Sequence, residues 1–206
     1  MVFMITKNNI DKIINHLNNN QVVCFKTDTI WGLSANPKSS TAIKNLYTIK
    51  QRNLDKPFIF LISKNQDLNC LVENINTTEQ KLISHFWPGP LTIIFKAKEN
   101  LDILQNYTQK QTIALRMPND ELCQELLQKI DYPLPSTSVN VEGNPSLNKI
   151  EDIKKEFAKE DICLLNKNTQ TDKNISSTIV MCNNNEINIL REGSISKQDI
   201  LNVLKN

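Results

Sequence analysis

Only three arginines, Arg52, Arg116 and Arg191, stand in a chain that carries 21 lysines. Lysine replaces arginine at little cost on a solvated surface, but not where a planar guanidinium must grip a carboxylate or phosphate with two parallel donors. The three are therefore candidates for anion-gripping sites; structural ion pairs are the plainer alternative. Polar residues collect around them where predicted strands and helices end. Lys26-Thr27-Asp28-Thr29 follows one apolar run, Lys50-Gln51-Arg52 closes a helical pattern with Lys56 close behind, and Arg116 ends the run Thr112–Leu115. Ser136-Thr137-Ser138-Val139-Asn140 continues an extended segment, and Arg191 closes a hairpin pattern over residues 177–190. Ligands of open α/β sheets commonly bind beyond strand ends. Cations interleaved with Ser and Thr hydroxyls suit a ligand carrying a phosphate and a carboxylate, not a neutral one. For Lys50-x-Arg52 taken alone, a turn with solvated cations is the competing reading.

Other chemistries lack support. No GxxxxGK[ST] or GxGxxG loop is present, so a conventional phosphate loop is missing. His16 lies within the first helical pattern and His85 beside a Trp-Pro-Gly-Pro turn, neither in a nucleophile elbow nor in a metal motif. The five cysteines (Cys24, Cys70, Cys123, Cys163, Cys182) are scattered without a CxxC or Cys/His cluster. That pattern suggests neither a disulfide framework nor a zinc site, and fits reduced thiols in a cytosol. A net charge of +2 does not advertise nucleic-acid binding, although a local basic cleft stays open. Met1–Ile10 lacks the apolar stretch of a signal peptide, and the longest apolar run, Phe58–Ile62, is too short to cross a bilayer. A soluble, non-exported, cytoplasmic protein is expected.

The elements that must position these residues follow from periodicity. Helices are predicted over Thr6–Leu17 with Thr6 as cap, Ser39–Ile49, Thr77–Phe86 opened by a Thr77-x-x-Gln80 capping box, Asn119–Ile130, Ile150–Phe157, and Ser196–Leu204 with Ser196 as cap. Strands are predicted at Val22–Phe25, Phe58–Ile62, Leu91–Ala97, Thr112–Leu115 and Ile162–Leu165, with an extended segment from Pro133. A hairpin is predicted from Ser177–Cys182 and Glu186–Leu190 across Asn183-Asn184-Asn185. Two prolines around Gly89 make Trp87–Pro90 a turn, while Glu99–Gln111 and Asn166–Asn174 read as polar loops. With 206 residues, 39% apolar and 22% charged, one α/β domain over 1–206 with a mixed sheet is expected.

Lys50-Gln51-Arg52 followed by Ser138-Val139-Asn140 resembles the KxR…SxN signature of the YrdC/TsaC family of threonylcarbamoyl-AMP synthases. Phe25–Leu33 is similar to that family's PT[ED]TVYGL segment, Trp87–Thr92 to its WPGP[LV]T turn, and Ile113–Pro118 to its VAVRxP strand. Ser136–Asn140 with Gly143 resembles STSAN.SG, Ser177–Val180 resembles STVV, and Leu190–Gly193 resembles LRxG. The motifs occur in the family's order over roughly residues 22–193. Lys26, Ser34, Asn53 and Glu192 depart from the pattern, beside the principal polar positions and not at them.

The resemblance implies a twisted mixed sheet flanked by helices, with a basic concave active-site cavity. It implies synthesis of L-threonylcarbamoyl-AMP from L-threonine, bicarbonate or CO2, and ATP, with release of pyrophosphate, for N6-threonylcarbamoyladenosine in tRNA. By carry-over, Lys50, Arg52, Ser138 and Asn140 would hold the ATP phosphates and the adenylate, with Lys56, Thr112, Ser146 and Arg191 assisting. Thr27, Arg116, Ser136 and Ser177 would receive threonine. Mg2+ would ride on the nucleotide phosphates, no metal cage being visible in the sequence. The chain resembles the short, single-domain form, whose product passes to a separate tRNA threonylcarbamoyl transferase; weak tRNA binding and no membrane contact are the further partner expectations. The competing readings are an RNA-binding module using the same basic concavity, and a carbamoyl-handling domain of the kind fused into hydrogenase-maturation proteins.

Overall fold

The computed structural model describes residues 2–6, 10–64, 68–104, 111–166, 174–183 and 186–205. In chain order the elements are β1 (Val2–Thr6), α1 (Ile10–Asn18), β2 (Val22–Lys26), β3 (Trp31–Ser34), α2 (Ser40–Lys50), β4 (Ile59–Leu61), α3 (Thr77–Phe86), β5 (Leu91–Lys96), β6 (Thr112–Arg116), α4 (Glu121–Ile130), β7 (Leu134–Ser138), α5 (Ile150–Glu156), β8 (Ile162–Asn166), β9 (Thr178–Asn183), β10 (Glu186–Arg191) and α6 (Lys197–Lys205). Among the described residues the strands form a single ten-stranded twisted sheet in the order β1-β8-β2-β3-β7-β4-β6-β5-β9-β10. It is mixed: β8 runs parallel to both β1 and β2, while β3, β7 and β4 pair antiparallel in succession. The expected hairpin forms between β9 and β10, its tip at 184–185 lying outside the described residues. Most of the two predicted polar loops, 105–110 and 167–173, also lies outside them.

Alternation along the strands divides the apolar side chains between two cores. Val22, Cys24, Trp31, Leu33, Phe60, Ile93, Leu115 and Val180 pack with α2, α3, α5 and α6 on one face. Val23, Phe25, Leu61, Leu134, Cys163 and Leu165 pack on the other face with Ile13 and Leu17 of α1 and Leu126 and Leu127 of α4. Those two helices cover that second face only over its β8, β2, β7 and β4 part. Arg116, one residue from buried Leu115, and Ile179, one residue from buried Val180, project onto the part left open.

Three local expectations are corrected. Thr6 ends strand β1 and does not cap a helix, which starts at Ile10. β1 was hidden because its partner, β8, is some 160 residues away and supplies the pairing that local pattern cannot. β3 also escaped: Trp-Gly-Leu-Ser is short and Gly-interrupted, and becomes a strand only through antiparallel pairing with β2 and β7. The capping box of α3 sits one residue earlier than predicted, between Asn76 and Glu79. The expected Ser196 cap of α6 forms, and Ser39 caps α2, each accepting a backbone N–H three residues on.

Candidate active site

The Lys50-Gln51-Arg52 spacing is explained by the end of α2. Gln51 adopts a left-handed conformation (φ 50°), and its N–H and that of Arg52 return to the carbonyls of Thr48 and Tyr47. That reversal sends the side chains on either side of Gln51 to different places. Lys50 points inward, 2% exposed, and its ammonium donates to Ser138 O (2.7 Å), Asn140 O (3.1 Å), Asn140 Oδ1 (2.9 Å) and Ser138 Oγ (3.3 Å). Arg52 points outward, held by bonds to Lys56 O (3.3 Å) and Pro57 O (2.9 Å) and stacked over the Phe58 ring.

Lys50 therefore anchors the loop that follows β7. Ser138 Oγ donates to Asn140 Oδ1 (2.6 Å), and Asn140 Nδ2 donates to the carbonyls of Val141 (2.9 Å) and Asn144 (2.8 Å). Burial pushes the Lys50 ammonium down to about 8, with Arg52 acting in the same direction and Glu142 opposing. Four oxygens surround a group with three donors, so Lys50 supports the site from behind and does not line the cavity.

A second cationic group forms where β6 ends. The Arg116 guanidinium, 5% exposed, donates through Nε to Gly89 O (3.1 Å), through NH1 to Thr29 Oγ1 (2.8 Å), and through NH2 to Asp28 Oδ1 in a largely buried ion pair. Burial lowers its proton affinity and Asp28 opposes that. The hydroxyl chain beyond it can be oriented. Thr27 Oγ1 donates to Ile30 O (3.0 Å), so the 2.9 Å contact between the two threonine hydroxyls must be donated by Thr29. Thr27 Oγ1 also accepts from the Thr29 N–H (3.2 Å), which leaves it fully engaged.

Arg191 completes this pole. Its Nε and NH2 hold Ser177 O (3.1 and 2.8 Å), and NH2 reaches Ser177 Oγ (3.1 Å), which in turn meets Thr92 Oγ1 at 2.8 Å. Burial, then the neighbouring Arg116 charge, lower the Arg191 guanidinium from its ordinary value. Gly193 makes the arrangement possible: a Cβ there would stand 2.2 Å from Ser176 O, so only glycine lets the chain leaving β10 pass this close. Gly32 plays a similar part on the cavity floor, where a Cβ would lie 2.6 Å from Ser136 Oγ.

Together these groups line a cavity of about 200 Å³ on the open part of the sheet. Its wall includes Thr27, Thr29, Gly32, Arg52, Arg116, Ser136, Ser138, Ser177 and Arg191, over an apolar floor of Ile59, Leu61 and Ile179. All three arginines of the chain face it. Arg52 is moored at Pro57, before β4 begins, and Arg116 pairs in register with Leu61 at its end, so the two stand toward opposite ends of that strand. The volume lies below the usual range for a whole drug-sized ligand.

The other predicted site residues lie elsewhere. Asn140 is buried behind the wall with Lys50. Lys56 sits at the surface in an ion pair with Glu142. Thr112, at the start of β6, borders a separate depression with Glu73, Lys96 and Met181. Ser146 Oγ is buried with no hydrogen-bond partner among the described residues and does not reach the cavity. Asp28 and Thr29 were noted in the polar run after the first apolar segment without being assigned a role, and Thr92 and Glu142 were not singled out from the sequence. Thr29 and Asp28 share the polar run of Thr27, a usable signal; Thr92 and Glu142 gain their places only from the pairing of β5 with β9 and from the loop beyond β7.

The family model for Sua5, YciO and YrdC, described as telomere recombination, matches residues 15–193. A threonylcarbamoyl-AMP synthase of Bacillus subtilis is 32% identical over 184 residues, covering 89% of this chain and 53% of the relative. A putative threonylcarbamoyl-AMP synthase of Methanocaldococcus jannaschii is 31% identical over 189 residues, covering 88% of this chain and 84% of the relative. Among solved structures, Sua5 of P. abyssi complexed with L-threonine matches with a TM-score of 0.87 at 25% identity, over 99% of this chain and 61% of that one. The chain thus spans about half the length of the Bacillus relative. The matched span contains every wall residue of the cavity, from Thr27 to Arg191, and the chain belongs to the Sua5/YciO/YrdC family.

Proposed function

We propose that this chain makes L-threonylcarbamoyl-AMP from L-threonine, bicarbonate or CO2, and ATP, releasing pyrophosphate, as the precursor of N6-threonylcarbamoyladenosine in tRNA. The observation that carries the reading is one cavity with two cationic poles: Arg52 at one end, Arg116 with Arg191 at the other. A carboxylate bound at the second pole and a phosphate at the first would point their reactive groups at each other across the apolar floor.

Arg116 has five N–H donors, of which Gly89, Thr29 and Asp28 use three. Its Nε is committed, so the threonine carboxylate is received across NH1 and NH2. Arg116 and Arg191 carry two positive charges against the one negative charge of Asp28, leaving a net charge that a single carboxylate neutralises. The threonine amine, once deprotonated from its ammonium form, bonds to CO2 and gives up a second proton to solvent, leaving a carbamate anion. A carbamate oxygen then attacks the α-phosphorus, and the bond to the departing pyrophosphate breaks. Arg52 and Ser138, braced by Lys50 and Asn140, would steady the phosphate charge during that step. The wall offers no side chain poised as a nucleophile, so its part is juxtaposition and charge stabilisation.

Among the described residues no group of three His, Cys, Asp or Glu gathers to hold a metal. Mg2+ fits as a companion of the nucleotide phosphates, whose charge it would offset. No helix among the described residues is long and apolar enough to cross a membrane. The product would pass to a separate tRNA threonylcarbamoyl transferase. Pyrophosphate release from ATP that depends on both threonine and bicarbonate tests the reading. An RNA-binding module would give none, and release without threonine would point to a different acceptor.

A further inference from the structure

An anion already stands beside the Arg52 pole, outside the cavity wall. Glu142, in the loop braced by Asn140, donates its N–H to Lys50 O (2.9 Å), which fixes it against the end of α2. Its carboxylate accepts from Lys56 Nζ through Oε1 and from the Asn53 N–H through Oε2 (2.8 Å). Asn53 Oδ1 meanwhile accepts from the Asp55 N–H (3.0 Å), shaping the 53–56 turn so that an N–H and an ammonium converge on one point. An ammonium, a backbone N–H and a neighbouring guanidinium are the groups that a phosphate oxygen would seek. Lys56, then the Asn53 N–H, with Arg52 adding a smaller effect, hold the Glu142 carboxyl below the usual carboxylate range.

We propose that Glu142 is an affinity-setting residue: its carboxylate occupies the outer anion position of the phosphate pole, and a nucleotide phosphate enters by exchanging with it on Lys56 and the Asn53 N–H. The inference rests on the reading that ATP binds at the Arg52 pole. Its consequence is a tuned weakening. Lys56 is half-exposed and its pair with Glu142 is accessible to solvent, so the exchange is cheap, but a fixed negative charge remains beside the incoming polyphosphate.

Isothermal titration of the full chain with ATP, with inorganic pyrophosphate and with threonine, for wild type, Glu142→Gln, Lys56→Gln and the double variant, tests this. Glutamine keeps acceptor oxygen for the Asn53 N–H while removing the charge. Glu142→Gln is expected to bind ATP and pyrophosphate about three- to tenfold more tightly, with the gain shrinking as salt rises and threonine binding unchanged. Lys56→Gln is expected to cost more ATP affinity in the Glu142→Gln background than in wild type, because there Lys56 is no longer shared. Unchanged or weaker ATP binding by a folded Glu142→Gln protein, or additive effects in the double variant, would overturn the proposal while leaving the nucleotide site standing. Wild type that binds neither ATP nor pyrophosphate would remove the nucleotide reading and this inference with it.

Discussion

Replacing Arg116 by lysine keeps one positive charge and removes the planar fork. In the structure three different segments hold that fork: Gly89 O takes Nε, Thr29 Oγ1 takes NH1 and Asp28 takes NH2. A lysine ammonium at the end of a flexible stem can keep the Asp28 pair, but it cannot span Gly89 and Thr29 and still present two parallel donors to a carboxylate. Losing one charge-assisted hydrogen bond to the substrate costs about 1.5–3 kcal/mol, equivalent to a threonine KM raised by about ten- to a hundredfold. The abandoned buried acceptors add a stability cost of about 1–3 kcal/mol, which thermal unfolding of the variant would register separately. The assay is steady-state pyrophosphate release, titrating threonine at saturating ATP and then ATP at saturating threonine, on protein shown to be folded. The threonine KM is expected to rise and the ATP KM to change much less. An unchanged threonine KM, or a loss confined to ATP, would refute the assignment and make Arg116 a residue of the fold or of the nucleotide.

Arg52→Ala removes the cation moored at Pro57 and facing the cavity, and should lower kcat/KM for ATP by about two orders of magnitude or more with folding retained; near-normal turnover would show that the phosphates bind elsewhere. Valine should be a poor substrate, at about 1–3 kcal/mol for each polar group of the site left unpaired. The Thr27 hydroxyl is fully engaged within the protein, so Ser136 is expected to read the substrate hydroxyl. Ser136→Ala should narrow the threonine-to-valine ratio, and a ratio untouched by it would put recognition on another group. Lys50 gives a pH prediction. Its ammonium is lowered from 10.5 to about 8 on folding, so the unfolded chain binds the extra proton between those values. The cost of burying the charge is fully present below about pH 8 and is relieved as pH rises toward 10.5, on the order of 3 kcal/mol. Urea unfolding of wild type and Lys50→Met across that window should show this rise in wild type only; parallel curves would place the Lys50 titration elsewhere.

The sequence by itself determined which residues had to be special and most of the elements that carry them. Arginine retention in a lysine-rich chain pointed to Arg52, Arg116 and Arg191, and all three line one cavity, Arg116 also forming the structural ion pair that was the plainer alternative. Apolar periodicity, with the Ser196 cap for α6, placed α2, α4 and α6 to within a residue or two, since those signals are local. What only the tertiary structure decided was what each polar group is already bound to. Lys50 and Arg52 look alike as surface cations in the sequence, and the left-handed residue between them buries one and leaves the other half-buried at the cavity wall. Asp28 becomes the counterion of Arg116, and Glu142 that of Lys56, across 88 and 86 residues of chain respectively. Strands β1 and β3 were silent for the same reason. Their stability comes from pairing with distant partners, an interaction between segments that local spacing does not encode.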